Sequence, residues 1–245
     1  MTEALNSAPT PPVAPQRRTR VKICGLTREQ DLDATVAAGA DAVGFVLYAK
    51  SPRHVSAARA RELALRLPPF VTPVLLLVNA TPEVVAAAVA AVPWAVLQFH
   101  GDETVAQCEA AGQRYIRAAR IPLGPQAPAF DLVEYATAYA SAQAILADAH
   151  AASYGGTGQS FNWNAFNWSH PAIAASSRLV LSGGLTPANV TDGILQVRPW
   201  AVDVSSGVEA VDAHGQPLKG LKDPVRIERF IAAVRAADAQ LAKKD

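Results

Sequence analysis

From Arg20 onward, short apolar runs alternate eight times with alanine-rich stretches of helical spacing. The runs are RVKIC (20–24), AVGFVL (42–47), PVLLLV (73–78), AVLQF (95–99), YIRAA (115–119), AILAD (144–148), RLVLS (178–182) and AVDVS (201–205). Their β-branched and aliphatic residues mark them as strands. Most are nearly continuous in apolar character, as expected where both faces of a parallel sheet are covered. The stretches between them predict helices near 27–37, 56–66, 81–91, 102–111, 129–141, 161–168, 186–196 and 224–241. Thr27, Ser56, Thr81 and Thr186 stand where a side-chain oxygen would cap a helix start. Pro82 and Pro187 each follow one of these at the first helical position, where a missing N–H costs nothing. Gly39 and Gly112 stand where helices should end.

Eight such units share about 222 residues, roughly 28 each, close to the minimum for a strand, a helix and two short loops. An open doubly wound sheet is the main rival, but no G-x-G-x-x-G follows the first strand. The expected fold is therefore a single (β/α)8 barrel over residues 19–245. Residues 1–18 carry four prolines among Ser, Thr and Asn and are expected to form a disordered tail.

Composition narrows the function. With 22 basic and 21 acidic residues the formal charge is +1, which leaves no electrostatic footprint for nucleic acid or an anionic membrane. Two cysteines are too few for a disulfide framework or a zinc site of cysteines and suit a reducing cytoplasm. No apolar run approaches the ~18–20 residues a membrane span needs. The N-terminus lacks the apolar middle of a secretory signal. No helix carries an obvious second apolar stripe, so a monomer is expected in preference to a homodimer.

In such barrels the chemistry sits at the C-terminal ends of the strands. Here the first strand ends in Cys24-Gly25 and the second runs into YAKSPRHVS with Arg53 and His54. The fourth ends near His100, and the sixth ends in Asp148 before AHAASYGGTGQSFNW. The seventh runs into Gly183-Gly184; the eighth carries Asp203 and leads to Ser206-Gly207. Glycines at 155, 156, 158, 183, 184 and 207 let backbone N–H groups approach an anion, and late βα loops are the usual phosphate site of this fold. Cys24 could be a base and Asp148 an acid kept protonated by an apolar mouth. Composition leaves both open: cysteine is often simply buried, and an Asp ending a strand often caps the next loop. Arg53 has the planar fork that suits a carboxylate. The five histidines show no metal-ligand spacing, so no metal site is expected, and Cys108 reads as packing.

Taken in order, VKICGLT, GFVLYAKSPRHVS, LQFHGDE, LADAHAASYGGTGQSFNW, LSGGLTPANV, VDVSSGVE and KDPVRIERF resemble one family, the phosphoribosylanthranilate isomerases of tryptophan biosynthesis. The resemblance covers about residues 20–240. It implies the Amadori rearrangement of N-(5-phosphoribosyl)anthranilate to 1-(2-carboxyphenylamino)-1-deoxyribulose 5-phosphate, a small phosphosugar substrate handled without cofactor or metal. It further implies Asp148 as general acid, Cys24 as general base and Arg53 as the holder of the anthranilate carboxylate. Asp203 would lie near the ribose hydroxyls, with Gly156, Gly158, Gly183, Gly184, Ser206 and Gly207 at the phosphate.

Two stretches depart from the family pattern. Asn162 stands where an Asp is usual, and EAVDAHGQPLKGLKD (209–223) is longer and more polar. The latter is expected to be a surface insertion away from acid, base and carboxylate clamp. Among rivals, an indole-glycerol-phosphate synthase would want a catalytic lysine, for which Lys22 is the candidate by composition. A ribulose-phosphate epimerase would want metal-ligating residues at several strand ends. An inactive phosphosugar-binding barrel would need neither Cys24 nor Asp148.

Overall fold

The computed structural model describes residues 18–124, 128–149, 160–168, 170, 173 and 178–243. The tail expected at 1–18 therefore lies, but for Arg18, outside the described residues.

Eight parallel strands close into a barrel in sequence order, each paired with the next and the last with the first. They are β1 (Arg20–Cys24), β2 (Ala42–Val46), β3 (Thr72–Leu77), β4 (Val96–Phe99), β5 (Tyr115–Ile121), β6 (Ala144–Ala149), β7 (Arg178–Leu181) and β8 (Ala201–Val204). The (β/α)8 expectation is met, with strand ends within two residues of those read from the apolar runs. Alternate residues along each strand face opposite ways. Val21, Ile23, Phe45, Leu75, Leu97, Phe99 and Val202 face outward into one core with Leu32, Leu63, Ala88, Ile194, Phe230 and Val234 of the surrounding helices. Each fully buried Val, Leu, Ile or Phe among them contributes about 1.5–3 kcal/mol. The inward set is small and apolar at one level, with Ala118, Ala144, Leu146, Val180 and Ala201 filling the barrel. Toward the C-terminal ends it turns polar, with Lys22, Gln98, His100, Asp148, Ser182 and Asp203 all buried.

The start of the barrel is tied to its last helix. The backbone N–H and hydroxyl of Thr19 donate to Asp238, and Arg235 Nη1 donates to the Thr19 carbonyl at 2.8 Å. Asp238 and Arg235 belong to the long last helix, Pro224–Leu241, whose start is capped by Asp223 accepting from the N–H groups of Val225 and Arg226.

Helix starts follow local chemistry only where no other partner claims the capping residue. Ser56 caps Ala57–Ala64 by accepting from Arg59 N–H, and Pro82 opens Pro82–Ala91 as expected, although Thr81 makes no side-chain cap. Thr27 does not cap: its hydroxyl donates to the Gly220 carbonyl at 3.0 Å, and the helix Glu29–Ala37 begins after Arg28. Thr186 and Pro187 lie in a turn, where Thr186 Oγ1 accepts from Ala188 N–H, and the helix Val190–Val197 begins after Asn189. The helix expected at 161–168 is a single 3-10 turn, Trp163–Ala165, opened by Asn162, whose side chain accepts from Asn164 N–H. There Phe161, Phe166 and Trp168 pack ring against ring, and Trp168 Nε1 donates to the Trp163 carbonyl.

The loops after β7 and β8 are pressed together. A Cβ added to Gly207 would lie 1.9 Å from the carbonyl oxygen of Leu185, a backbone atom that cannot move aside. Replacing Gly207 by Ala is expected to cost about 3 kcal/mol, the upper end for overpacking. Gly112→Ala, where the added methyl meets nothing and only a φ of +62° is strained, should cost about 1 kcal/mol. Urea unfolding of both variants checks this, and equal losses would show that the two loops are not in contact.

Candidate active site

Strand register builds the site. Across the seam between β1 and β8, Lys22 stands opposite Asp203, and the Lys22 ammonium reaches Asp203 Oδ1 at 2.7 Å. Ser182 Oγ lies 3.4 Å from the other oxygen of the same carboxylate. Two residues on from Lys22, Cys24 faces the same way, opposite Gly44 of β2. A Cβ at position 44 would lie 2.7 Å from the Cys24 sulfur and 3.2 Å from the Lys22 nitrogen. Glycine there opens the space in which thiol and ammonium meet. Burial works against the charge on Lys22, but Asp203 and Cys24 override it and hold the ammonium above the ordinary lysine range. Burial pushes the Cys24 thiol up, and the Lys22 ammonium pulls against that rise.

On the β6 side, Asp148 is held at both oxygens. Oδ1 accepts from the N–H of Ala149 at 2.9 Å, and Oδ2 lies 2.9 Å from His100 Nε2. The other ring nitrogen of His100 lies 2.9 Å from the Gln98 amide nitrogen. Gly183 packs directly on this group: a Cβ there would be 2.6 Å from Ala149 N and 3.1 Å from Asp148 Oδ1. The φ angles of Gly183 and Gly184, +80° and +63°, fold the β7 loop over the strand ends in a conformation that other residues rarely adopt.

Cys24, Asp148, Arg53, Asp203, Gly183, Gly184, Ser206 and Gly207 all line one cavity of about 730 Å³. Gly156 and Gly158 lie outside the described residues. Ser206 and Gly207 belong to a 3-10 turn, Ser206–Val208, that follows β8.

The segment 209–223 overturns the expectation of a remote insertion. It forms a two-stranded antiparallel hairpin, β9 (Glu209–Val211) and β10 (Pro217–Lys222), whose tip is exposed and whose base is buried. Glu209 grips the Arg53 guanidinium through both oxygens, with Nε at 2.6 Å and Nη2 at 2.8 Å. The Lys222 ammonium donates to the Ser205 carbonyl at 2.9 Å and stands 3.3 Å from Glu209. Burial opposes the Glu209 charge, yet hydrogen bonds from Arg53 and the nearby Lys222 hold its carboxyl below the usual range. The stem of Arg53 lies across Gly25, where a Cβ would be 2.5 Å from Arg53 Cδ. A φ of +79° and this close approach both require glycine after Cys24.

Lys22, His100 and Gln98 thus join the site; in the sequence Lys22 stood only as the catalytic lysine of a rival reading, His100 only as a strand-end residue, and Gln98 had no part. The available signal was parity: Lys22 lies two residues before Cys24, and Gln98 two before His100. Glu209 and Lys222 carried no such signal, because a hairpin outside the barrel brings them in. Among the described residues, no group of three His, Cys, Asp or Glu side chains is disposed to hold a metal ion. Nor is any of their helices long and apolar enough to cross a membrane.

Comparison with known proteins agrees with this geometry. The family model described as N-(5′-phosphoribosyl)anthranilate (PRA) isomerase matches residues 21–233. The N-(5′-phosphoribosyl)anthranilate isomerase of Methylibium petroleiphilum is 58% identical over 228 residues, covering 93% of this chain and 99% of that protein. The crystal structure of phosphoribosyl anthranilate isomerase from Thermotoga maritima is 38% identical with a TM-score of 0.75, over 89% of this chain and 99% of that one. A phosphoribosyl anthranilate isomerase solved with reduced 1-(o-carboxyphenylamino)-1-deoxyribulose 5-phosphate is 36% identical with a TM-score of 0.70, at the same coverage.

The buried Lys222 gives a pH signature. Burial pulls its ammonium down to about 8, against an ordinary value of 10.5. Between those values the unfolded chain binds this proton and the folded chain does not, so the residue adds stability as pH rises through the window. Urea unfolding of wild type and Lys222→Met across that range should show their difference moving in favour of wild type with rising pH. A difference that stays constant would refute the depressed value.

Proposed function

This chain belongs to the N-(5′-phosphoribosyl)anthranilate isomerase family, and on that premise we propose that Cys24 and Asp148 drive its Amadori rearrangement as base and acid. The enzyme converts N-(5-phosphoribosyl)anthranilate to 1-(2-carboxyphenylamino)-1-deoxyribulose 5-phosphate in tryptophan biosynthesis. The observation that carries the residue assignment is that one thiol from β1 and one carboxyl from β6 line the same cavity.

Asp148 gives its proton to the ribose ring oxygen as the C1–O bond breaks, and the anilino nitrogen lone pair forms the C1=N bond. The resulting iminium acidifies the proton on C2, so acid-assisted opening precedes the base step. Cys24 removes that proton, and its electron pair forms C1=C2 as the iminium π electrons return to nitrogen. The enolamine then takes a proton at C1 and loses one from the C2 hydroxyl, giving the ketone. A thiol raised by burial needs a nearby cation to act as a base, and the Lys22 ammonium beside it supports that role.

The two anionic ends of the substrate fix the ribose between acid and base. Arg53 is proposed to take the anthranilate carboxylate; a guanidinium has five N–H donors, so one group can serve Glu209 and a second carboxylate together. The glycine backbones at 183, 184 and 207, with Ser206, are proposed to take the phosphate, together with Gly156 and Gly158. Asp203 is proposed to face the ribose hydroxyls. We place the enzyme in the cytoplasm, where its two cysteines, both free and buried, stay reduced.

Turnover on purified protein should fall by about 10²–10⁴-fold in both Cys24→Ser and Asp148→Asn, while a reduced product analogue binds within a few-fold of wild type. Near-normal turnover in either variant removes that residue from its role. Arg53→Ala should weaken binding of the carboxylated substrate far more than that of a decarboxylated analogue; equal losses would remove the clamp.

A monomer is proposed because no helix shows an obvious second apolar stripe in the sequence. The relative from Thermotoga maritima is described as dimeric, with monomers generated from it solved, and in this chain Phe70 is fully exposed in the loop before β3. Sedimentation equilibrium at micromolar concentration decides: a dimer that Phe70→Ser dissociates would end the monomer reading.

A further inference from the structure

We propose that His100 is a positioning residue, holding Asp148 ready to release its proton, and that Gln98 sets which nitrogen of the imidazole carries hydrogen. The inference rests on the reading of Asp148 as the acid. Gln98 and His100, two apart around the end of β4, lie on the same inward face. They are 0% and 4% exposed, and Asp148 is 6% exposed, so the three form a buried line from β4 to β6.

The line has a direction. The amide nitrogen of Gln98 can only donate, so at 2.9 Å it makes His100 Nδ1 an acceptor. The ring hydrogen of the neutral imidazole then sits on Nε2 and points at Asp148 Oδ2, also at 2.9 Å. This orientation leaves Gln98 Oε1 buried with no hydrogen-bond partner among the described residues.

With His100 N–H on Oδ2 and Ala149 N–H on Oδ1, each carboxyl oxygen keeps one lone-pair direction. One of these carries the acidic proton in the reacting state. When that proton passes to the ribose ring oxygen, the O–H bond of Asp148 breaks and its electron pair stays on the carboxylate. The negative charge thus develops between two donors already in place, with no reorganisation at the moment of transfer. His100 keeps its own hydrogen throughout and acts through Asp148 rather than on the moving proton. A pair of fixed donors also holds the carboxyl plane against rotation, which a single backbone N–H does not.

Two measurements test this. In protein labelled with ¹⁵N-histidine, the His100 resonance, identified by its loss in His100→Gln, should show the neutral Nε2–H tautomer without substrate. An Nδ1–H tautomer would overturn the proposal. In turnover, His100→Leu removes the donor and should lower kcat about 100-fold, as for loss of one preorganised donor, with KM and product-analogue affinity within about threefold of wild type. His100→Gln, which keeps an N–H near the Nε2 position, should recover at least about tenfold of that loss. A His100→Leu enzyme within threefold of wild-type kcat would overturn the inference. So would a His100→Gln enzyme as impaired as His100→Leu while unfolding at the same urea midpoint. Absence of turnover in wild type would strike the proposed function instead, and the tautomer is read without any substrate, so the two failures are distinguishable.

Discussion

The barrel closes where β1 meets β8, and the inward pair across that seam is an ion pair. Lys22 and Asp203 are register partners, 4% and 5% exposed, and 2.7 Å apart. Neither charge would be tolerated there alone, since removing one partner of a buried pair costs about 3–5 kcal/mol. A strand slipped by one residue at the seam would send its own member of the pair to the helix-facing core and leave the other charge buried alone, so the pair also penalises the wrong register. The same ammonium is the cation that pulls hardest against the rise of the Cys24 thiol. Closure of the fold and the electrostatics of the site are thus one interaction seen from two sides.

That economy explains which parts of the molecule were legible in the sequence. Eight apolar runs gave eight strands because burial on both faces writes itself as a continuous hydrophobic run. Cys24, Asp148, Asp203 and the Gly183-Gly184 pair were legible because they end or follow strands, and the fold assigns chemistry to that end. What stayed hidden depended on contacts between residues far apart in the chain. Thr27 has the chemistry of a cap, yet its hydroxyl goes to Gly220, 193 residues on. The 161–168 stretch has helical spacing, but three bulky aromatic residues within it, Phe161, Phe166 and Trp168, pack into a ring cluster around a single turn.

The hairpin β9–β10 is the clearest case. Its sequence is polar and rich in turn formers, which is the pattern of a loop in solvent. Its two ends, however, deliver Glu209 and Lys222 to a buried position beside Arg53. An arginine meant for an exchangeable anion must not collapse onto the nearest carboxylate in an unproductive pose. Here Glu209 takes Nε and Nη2 in a fixed bidentate fork, which locks the guanidinium plane, while Lys222 shares the carboxylate's charge. The polar insertion is therefore the frame on which the proposed carboxylate clamp is stretched.

Net charge hid the last feature. A chain with 22 basic and 21 acidic residues looks indifferent to anions. The cavity wall is not: Lys50, Arg53, Lys219, Arg226 and Arg229 face Asp148, Asp203 and Glu209, five cations against three acids. Of those three, Asp203 is matched by Lys22, and Glu209 is shared by Arg53 and Lys222. Asp148 is the exception, for its partner is a histidine, which suits its proposed role of holding and releasing a proton. A substrate bearing a phosphate and a carboxylate therefore meets a local field of the right sign inside a nearly neutral protein. Such a field acts within about a Debye length, ~8–10 Å at physiological salt, so it belongs to the mouth and not to the molecule.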